Sequence, residues 1–251
     1  MNKTIKQSRD FLKDAVRLSI DFSRTDQHRG ITPPPIEKPI PPEAKLFDLP
    51  QDRNWEGIPS LELVAAIRSR SSRRDYTDTP LTLEEISFLL WATQGVRRRI
   101  GPGTALRTVP SAGCRHALET YLLILNVEGL EPGLYRYLPL EHQLLFEFSE
   151  EYLPEKIATA ALGQPFVGNG AAVFIWAAIP YRMEWRYDLA AHKVILLDAG
   201  HICQNLYLAC EAISAGTCAV AAYHQEKMDS LLRLDGENEF VIYLAPVGKV
   251  K

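Results

Sequence analysis

The chain has 251 residues, of which 46% are hydrophobic and 24% charged, with a formal net charge of -3. That length can bury a substantial core without a metal or a disulfide, and the composition excludes a wholly disordered chain. The mild acidic balance supplies no global basic field, which excludes nucleic acid and anionic membrane as expected partners and leaves a small molecule. Four cysteines (Cys114, Cys203, Cys210, Cys218) without a C-x-x-C pair read as free thiols of a reducing compartment. Lys3, Lys6, Arg9 and Lys13 break any signal-like apolar run, and no stretch approaches the roughly 18 apolar residues of a membrane span, so the expected location is the cytoplasm.

Taken in chain order, residues 25–59 are rich in proline, including Pro33-Pro34-Pro35 and Pro41-Pro42, and read as either a disordered leader or an extended arm, with Phe47, Leu49 and Trp55 favouring a docked arm, and residues 1–58 precede a domain at 59–251. Ser60 is the expected N-cap of a helix over 61–67. Thr82 and Glu85 have capping-box spacing for a second helix that ends at Gly95. Residues 121–127 form an apolar run suited to a buried strand, 134–137 and 143–148 a hairpin, and 171–179 another strand. The longest helical pattern lies between 187 and 215. It is apolar nearly all round except for Asp198, His201 and Asn205, which share one stripe. Strands near 217–222 and 240–247 bracket a short helix around 225–232. Helices first and then mixed elements, without a βαβ period, predict an α+β layered fold.

Three stretches carry candidate chemistry. Residues 68–76 place Arg68, Arg70, Arg73 and Arg74 beside Ser69, Ser71 and Ser72, a set that can grip phosphate bidentately or form a solvated charged face. Arg107-Thr108-Val109-Pro110-Ser111-Ala112-Gly113 is either an ordinary turn or a loop of small residues that lets backbone amides approach a flat ring or an anion. In Ala215-Gly216-Thr217-Cys218-Ala219 the glycine sits where a helix C-cap belongs. The sequence lacks a G-x-S-x-G elbow, a Walker A loop and, after Gly101-Pro102-Gly103, the third glycine of a dinucleotide fingerprint. Cys114, His116, His201 and Cys203 lack zinc-finger spacing, and Arg97-Arg98-Arg99 reads as a solvated basic loop. On residues alone the reading reaches an α+β protein with a phosphate-bearing ligand and stops short of redox chemistry.

These pieces, in this order, resemble the nitroreductase superfamily and within it the SagB-type branch, which includes azoline dehydrogenases. Arg70-Ser71-Ser72-Arg73-Arg74-Asp75-Tyr76 matches an R-x-S-x-R-x-[FY] element, and the 107–113 loop matches RTxPSAG. Residues 81–95 resemble LTLEELxxLLWAxQG, 129–137 GLEPGLYxY, 199–208 AGHxxQNLYL and 215–220 GLGTCAIG. The resemblance implies a nitroreductase-like layered fold with a mainly antiparallel central sheet flanked by helices, in an intertwined homodimer with flavin sites at its interface. It implies FMN held by Arg70, Ser71, Ser72 and Arg74, packed by Pro110, Ser111, Ala112 and Gly113 of the second subunit, and flanked by Gly216, Thr217 and Cys218. Lys249 or Lys251 is the expected further phosphate charge.

The chain departs from the branch in two places. PSAGALYP becomes Pro110-Ser111-Ala112-Gly113-Cys114-Arg115-His116-Ala117, and the Lys-Tyr pair of azoline dehydrogenases becomes Arg186-Tyr187. Arginine is effectively always protonated and so a poor general base. Arg186 and Tyr187 are the catalytic candidates. The expectation is an FMN oxidoreductase that takes electrons from NAD(P)H and passes them to a nitroaromatic or quinone. Oxidation of an azoline peptide and flavin binding without turnover are the alternatives.

Overall fold

The computed structural model describes residues 3–51, 55–101 and 103–251. Residues 1–2 and 52–54 of the arm, and Pro102 of Gly101-Pro102-Gly103, lie outside the described residues. The N-terminal segment opens with helix α1 (Lys3–Leu12), two 3-10 turns at Ala15–Ser19 and Phe22–Arg24, and edge strand β1 (Lys45–Asp48). Prolines remove amide donors from the intervening chain but leave its carbonyls as acceptors, and buried arginines fill those positions. Arg107 donates to the Ile36 carbonyl at 3.2 Å, and Arg136 to those of Lys38 and Pro39 at 3.3 and 3.0 Å. Lys38 in turn meets Glu239 at 2.5 Å and the Tyr121 hydroxyl at 2.8 Å.

Helix α2 (Leu63–Ser69) starts later than its sequence signal, because Glu62 occupies the N-cap and no side chain closes it. Ser60 is therefore not the cap. Of its apolar residues only Ala66 is buried, while Leu63 is 64%, Val64 63% and Ile67 59% exposed. Helix α3 (Leu83–Gln94) shows the full capping box between Thr82 and Glu85, and the Gly95 amide closes it on the Trp91 carbonyl. The basic triplet 97–99 lies in strand β2 (Val96–Gly101), paired with β3 (Thr104–Arg107), instead of in a loop.

The main sheet is built from β4 (Leu118–Ile124), β5 (Gly133–Leu138), β6 (Gln143–Phe148), β7 (Ala172–Ala178), β8 (Ala215–Thr217) and β9 (Phe240–Lys249). With β1 it runs in the order β1-β6-β5-β4-β7-β9-β8, and each neighbouring pair is antiparallel. β7 shows why both faces are covered. Its period of two sends Phe174 and Trp176 into the core shared with α3 and α6 (Ala191–Ala212). Val173, Ile175 and Ala177 join the core under α4 (Leu153–Ala160) and α7 (Gln225–Leu231). The fold is α+β, with helices layered on an antiparallel sheet.

Three boundaries differ from the sequence reading. The helix expected over 187–215 is α6, trimmed to 191–212, and a separate short helix not expected from the sequence, α5 (Tyr181–Tyr187), precedes it and stops at Asp188, whose φ of 48° cannot continue a helix. β4 stops at Ile124, because the amides of Leu125 and Asn126 both turn to the Ala171 carbonyl. The strand expected over 217–222 ends at Thr217, and beyond it only Val220 forms an isolated bridge, to Leu244.

Candidate functional site

After α2 ends, residues 71–76 run across the end of the sheet. Ser72 bridges to Thr217, and the Arg73 amide donates to the Thr217 carbonyl at 3.0 Å. Gly216 is required there, since a Cβ would lie 2.5 Å from the Arg73 Cβ. The result is a cleft of ≈ 940 Å³ lined by Ser71, Ser72, Arg73, Arg74, Asp75, Tyr76, Val250 and Lys251. Arg73, Arg74 and Lys251 outnumber the single Asp75 carboxylate, and the Arg73 Nε is buried without a hydrogen-bond partner among the described residues. Two guanidiniums, an ammonium and two serine hydroxyls form a donor set suited to a phosphate group. Burial raises the pKa of the Tyr76 phenol at its edge, so it stays a neutral hydrogen-bond donor to the Arg73 carbonyl at 2.9 Å.

Arg70 and Ser72 converge on Tyr207 of α6 instead of projecting freely. The Arg70 guanidinium lies 5.2 Å from the Tyr207 ring centre, and Ser72 Oγ is 3.1 Å from the Tyr207 hydroxyl, which also accepts the Ala219 amide at 2.9 Å. The Arg74 guanidinium sits 5.5 Å from the Phe166 ring. Thr217 is spent on the Pro246 carbonyl at 2.8 Å, and Cys218 is buried at 3% exposure. Lys249 does not face the cleft's open donors. Its ammonium pairs with Glu85 and donates to the Ile213 carbonyl at 2.6 Å, partners it would have to leave in order to reach a phosphate.

The second constellation gathers the 110–113 loop with Arg186 and Tyr187. Pro110 is exposed, and the Ser111 hydroxyl accepts the His116 amide at 3.0 Å. The Ala112 amide donates to Asp198 of α6 at 3.3 Å. Gly113 has a φ of 58°, and a Cβ on it would lie 2.6 Å from the Tyr187 hydroxyl and 3.0 Å from Arg186 Cδ and Nε. Only glycine lets this loop close on α5. Burial raises the Asp198 carboxyl pKa, against the Ser111 hydroxyl and then the Ala112 amide, which lower it. Burial, with Arg107 nearby, holds His116 neutral with a pKa down at about 3, so its Nε2–H donates to the Ala105 carbonyl at 3.0 Å.

The chain thus brings its expected site residues together as two groups. One touches α6 at Tyr207 and the other at Asp198, nine residues or about 13 Å apart along the helix. Sequence reasoning missed Tyr207 and Arg73 as site residues. Both lay inside quoted motifs, but only contact geometry separates a side chain that faces a cleft from one that fills a core. Of the polar stripe, Asp198 holds the loop and Asn205 donates to the Ala92 carbonyl of α3 at 2.8 Å, while His201 is exposed.

A layered α+β fold with an anion cleft at the sheet's end and a glycine loop closed on α5 defines a class that comparison names directly. The chain belongs to the Nitroreductase family, whose profile matches residues 67–249. A protein of Methanocaldococcus jannaschii named as a nitroreductase is 33% identical over 192 residues, covering 76% of this chain and 93% of its own length. The trifolitoxin-processing protein TfxB of Rhizobium leguminosarum bv. trifolii is 27% identical over 137 residues, 51% of this chain and 36% of that protein. A solved nitroreductase-type structure from Ralstonia eutropha JMP134 superposes with a TM-score of 0.67 at 25% identity, covering 87% of this chain and 98% of that one. The chain is an oxidoreductase of this family.

Proposed function

We propose that the protein is an FMN-dependent oxidoreductase that takes electrons from NAD(P)H and delivers them to an electron-poor small molecule such as a nitroaromatic or quinone. The observation that carries the reading is the cleft at 71–76, where the buried Arg73 Nε has no partner among the described residues and stands beside serine hydroxyls and a second guanidinium. Arg70, Ser71, Ser72, Arg73, Arg74 and Lys251 would hold the FMN phosphate, with Tyr207 bracing Ser72. The flavin, when bound, supplies the hydride chemistry. The protein supplies position: small residues at 111–113 would pack on the ring, and Arg186 and Tyr187 would wall the substrate side. The cytoplasm is the proposed location, and no helix among the described residues is long and apolar enough to cross a membrane.

The two residue groups would complete each other across a homodimer, with the loop of one copy meeting the cleft of its partner. The exposed Leu63, Val64 and Ile67 of α2 and Leu196 and Leu197 of α6 support this, because such apolar surface is costly to leave in water.

Oxidation of a modified peptide is a second reading, supported by the relative named as a trifolitoxin-processing protein and by Tyr187 at the loop. Arg186 argues against proton abstraction at that position.

The deciding experiment is an anaerobic visible spectrum of the purified protein before and after NADPH. Flavin bands that bleach support the reductase. Bands that persist favour the peptide oxidase, or a flavin binder if no acceptor is turned over after chemical reduction. No bands even after FMN is added would defeat the proposal. Replacing Arg70 and Arg74 together by Ala should raise the FMN Kd at least roughly 10-fold, because charge-assisted hydrogen bonds contribute about 1.5 to 3 kcal/mol each.

A further inference from the structure

Arg115 stands in the part of the loop where this chain departs from its relatives' pattern, and the proposed chemistry leaves it unused. It is buried at 3% exposure, and each of its guanidinium nitrogens has a partner. Nε donates to the Arg182 carbonyl of α5 at 3.0 Å. Nη1 donates to the Gly103 carbonyl at 2.6 Å and the Thr104 hydroxyl at 3.3 Å, and Nη2 to the Pro34 carbonyl of the arm at 3.5 Å. Its plane also lies 4.6 Å from the Trp185 ring centre. One side chain therefore ties together four segments that are remote in sequence.

The two residues at the centre of the substrate wall sit one step from this tie. Gly113 precedes Arg115 by two residues, and Tyr187 follows Trp185 by two. Trp185 is fixed to the arm in its own right, its indole N–H donating to the Ile31 carbonyl at 2.9 Å while its carbonyl accepts the Gln27 amide at 3.0 Å. The loop does not hold its shape unaided, since Cys114 and His116 on either side of Arg115 have φ of 55° and 47°, left-handed values that cost non-glycine residues energy. Such a backbone persists when its surroundings impose it, and the guanidinium supplies four hydrogen bonds to those surroundings.

We propose that Arg115 is a positioning residue through which the docked N-terminal arm fixes the substrate-side wall of Gly113, Arg186 and Tyr187. This rests on reading that wall as the substrate side. The arm is on this account part of the active site's framework, and it sets acceptor geometry without touching the acceptor. Lysine cannot replace Arg115, because a single ammonium cannot span α5, β3 and the arm while stacking on an indole.

The test uses the full-length chain with fluorotyrosine placed at Tyr187 and read by fluorine NMR. Arg115→Ala and Arg115→Lys should both shift or broaden the resonance. Gly103→Ala should do the same with the Arg115 side chain still present, because its Cβ, on a residue with φ of 64°, would lie 2.4 Å from the Pro34 carbonyl and 3.4 Å from Arg115 Nη2 and so would disturb the arm together with its tie to Arg115. In steady state, Arg115→Ala should raise the acceptor KM roughly 10-fold through misplacement of the wall. The FMN Kd should rise less than the acceptor KM, since the 71–76 cleft shares no partner with Arg115 and only the Gly113 end of the ring-packing loop is displaced. An unchanged fluorine line in Arg115→Ala overturns the proposal. A change in Arg115→Ala without one in Gly103→Ala overturns the arm's part in it, and equal losses of flavin affinity and acceptor KM reduce Arg115 to general stability. A parent that binds no flavin defeats the proposed function instead, and the fluorine spectra still decide the role of Arg115.

Discussion

Ser72 and Tyr207, 135 residues apart in sequence, meet hydroxyl to hydroxyl at 3.1 Å. The same phenol takes the Ala219 amide at 2.9 Å and presents its ring to Arg70. Tyr207 thereby ties the Ser72 wall of the anion cleft and the segment after β8 to α6. Tyr207→Phe keeps the ring and removes both hydrogen bonds, so Ser72 loses its orientation and the Ala219 amide its acceptor. The expected result is a folded protein about 1 kcal/mol less stable whose FMN Kd rises roughly 5- to 10-fold. Titrating the apoprotein with FMN and following flavin fluorescence checks it, and an unaltered Kd would remove Tyr207 from the site.

Elements whose signal is local were legible in advance. The Thr82–Glu85 capping box needs only three residues of spacing, and the hairpin of β5 and β6 needs only alternation and a turn; both are in place. Helix α5 was not legible, because seven residues are too few to show a helical period, and neither was the exact start of α6, because Asp188, with its φ of 48°, sets it apart from α5 by one backbone angle that no side-chain period encodes. Helix α2 was legible as a helix but not in its burial, since a stripe facing solvent and a stripe facing a core read alike. The motifs named the stretches that the fold gathers beside α6, while their division into two groups along that helix depended on topology.

Glu119 and Arg182 form an ion pair in which both side chains are at most 3% exposed. Burial pushes the Glu119 carboxyl up, and Arg182, Arg136 and Arg107 together outweigh it, so its pKa is held below the ordinary carboxylate value. Glu119 also accepts the Lys38 amide of the arm at 3.0 Å. Glu119→Gln leaves Arg182 charged and buried without a counter-ion, which should cost about 3 to 5 kcal/mol. Urea denaturation measures the loss, and a cost below about 1 kcal/mol would mean that water reaches the pair.

His116 makes the protein acid-sensitive. Its pKa falls from 6.5 to about 3 on folding, through burial and then the neighbouring Arg107. The unfolded chain therefore binds the proton first. The stabilisation is fully present above pH 6.5 and is lost as the pH falls towards 3. From pH 7 to pH 5 the loss from this one group should be about 2 kcal/mol. Denaturation of the parent and of His116→Gln at both values should show the variant's pH dependence flatter by that amount. Parallel curves would mean that His116 titrates normally.

Lys249 and Lys251 should separate stability from phosphate binding. Lys249 is committed to Glu85, whose carboxylate also completes the cap of α3, and to the Ile213 carbonyl. Removing its ammonium in Lys249→Met leaves a partly buried carboxylate short of a partner and should cost about 1.5 to 3 kcal/mol. The FMN Kd should stay within about twofold, because that bond lies outside the cleft. Lys251 lines the cleft and is exposed, so Lys251→Met should leave stability unchanged and raise the Kd roughly 2- to 5-fold, the scale of a solvent-screened charge. Thermal denaturation and flavin titration of the two variants side by side distinguish the roles. A Kd that rises in Lys249→Met and not in Lys251→Met would return the phosphate charge to Lys249, with the Glu85 pair opening when the flavin binds.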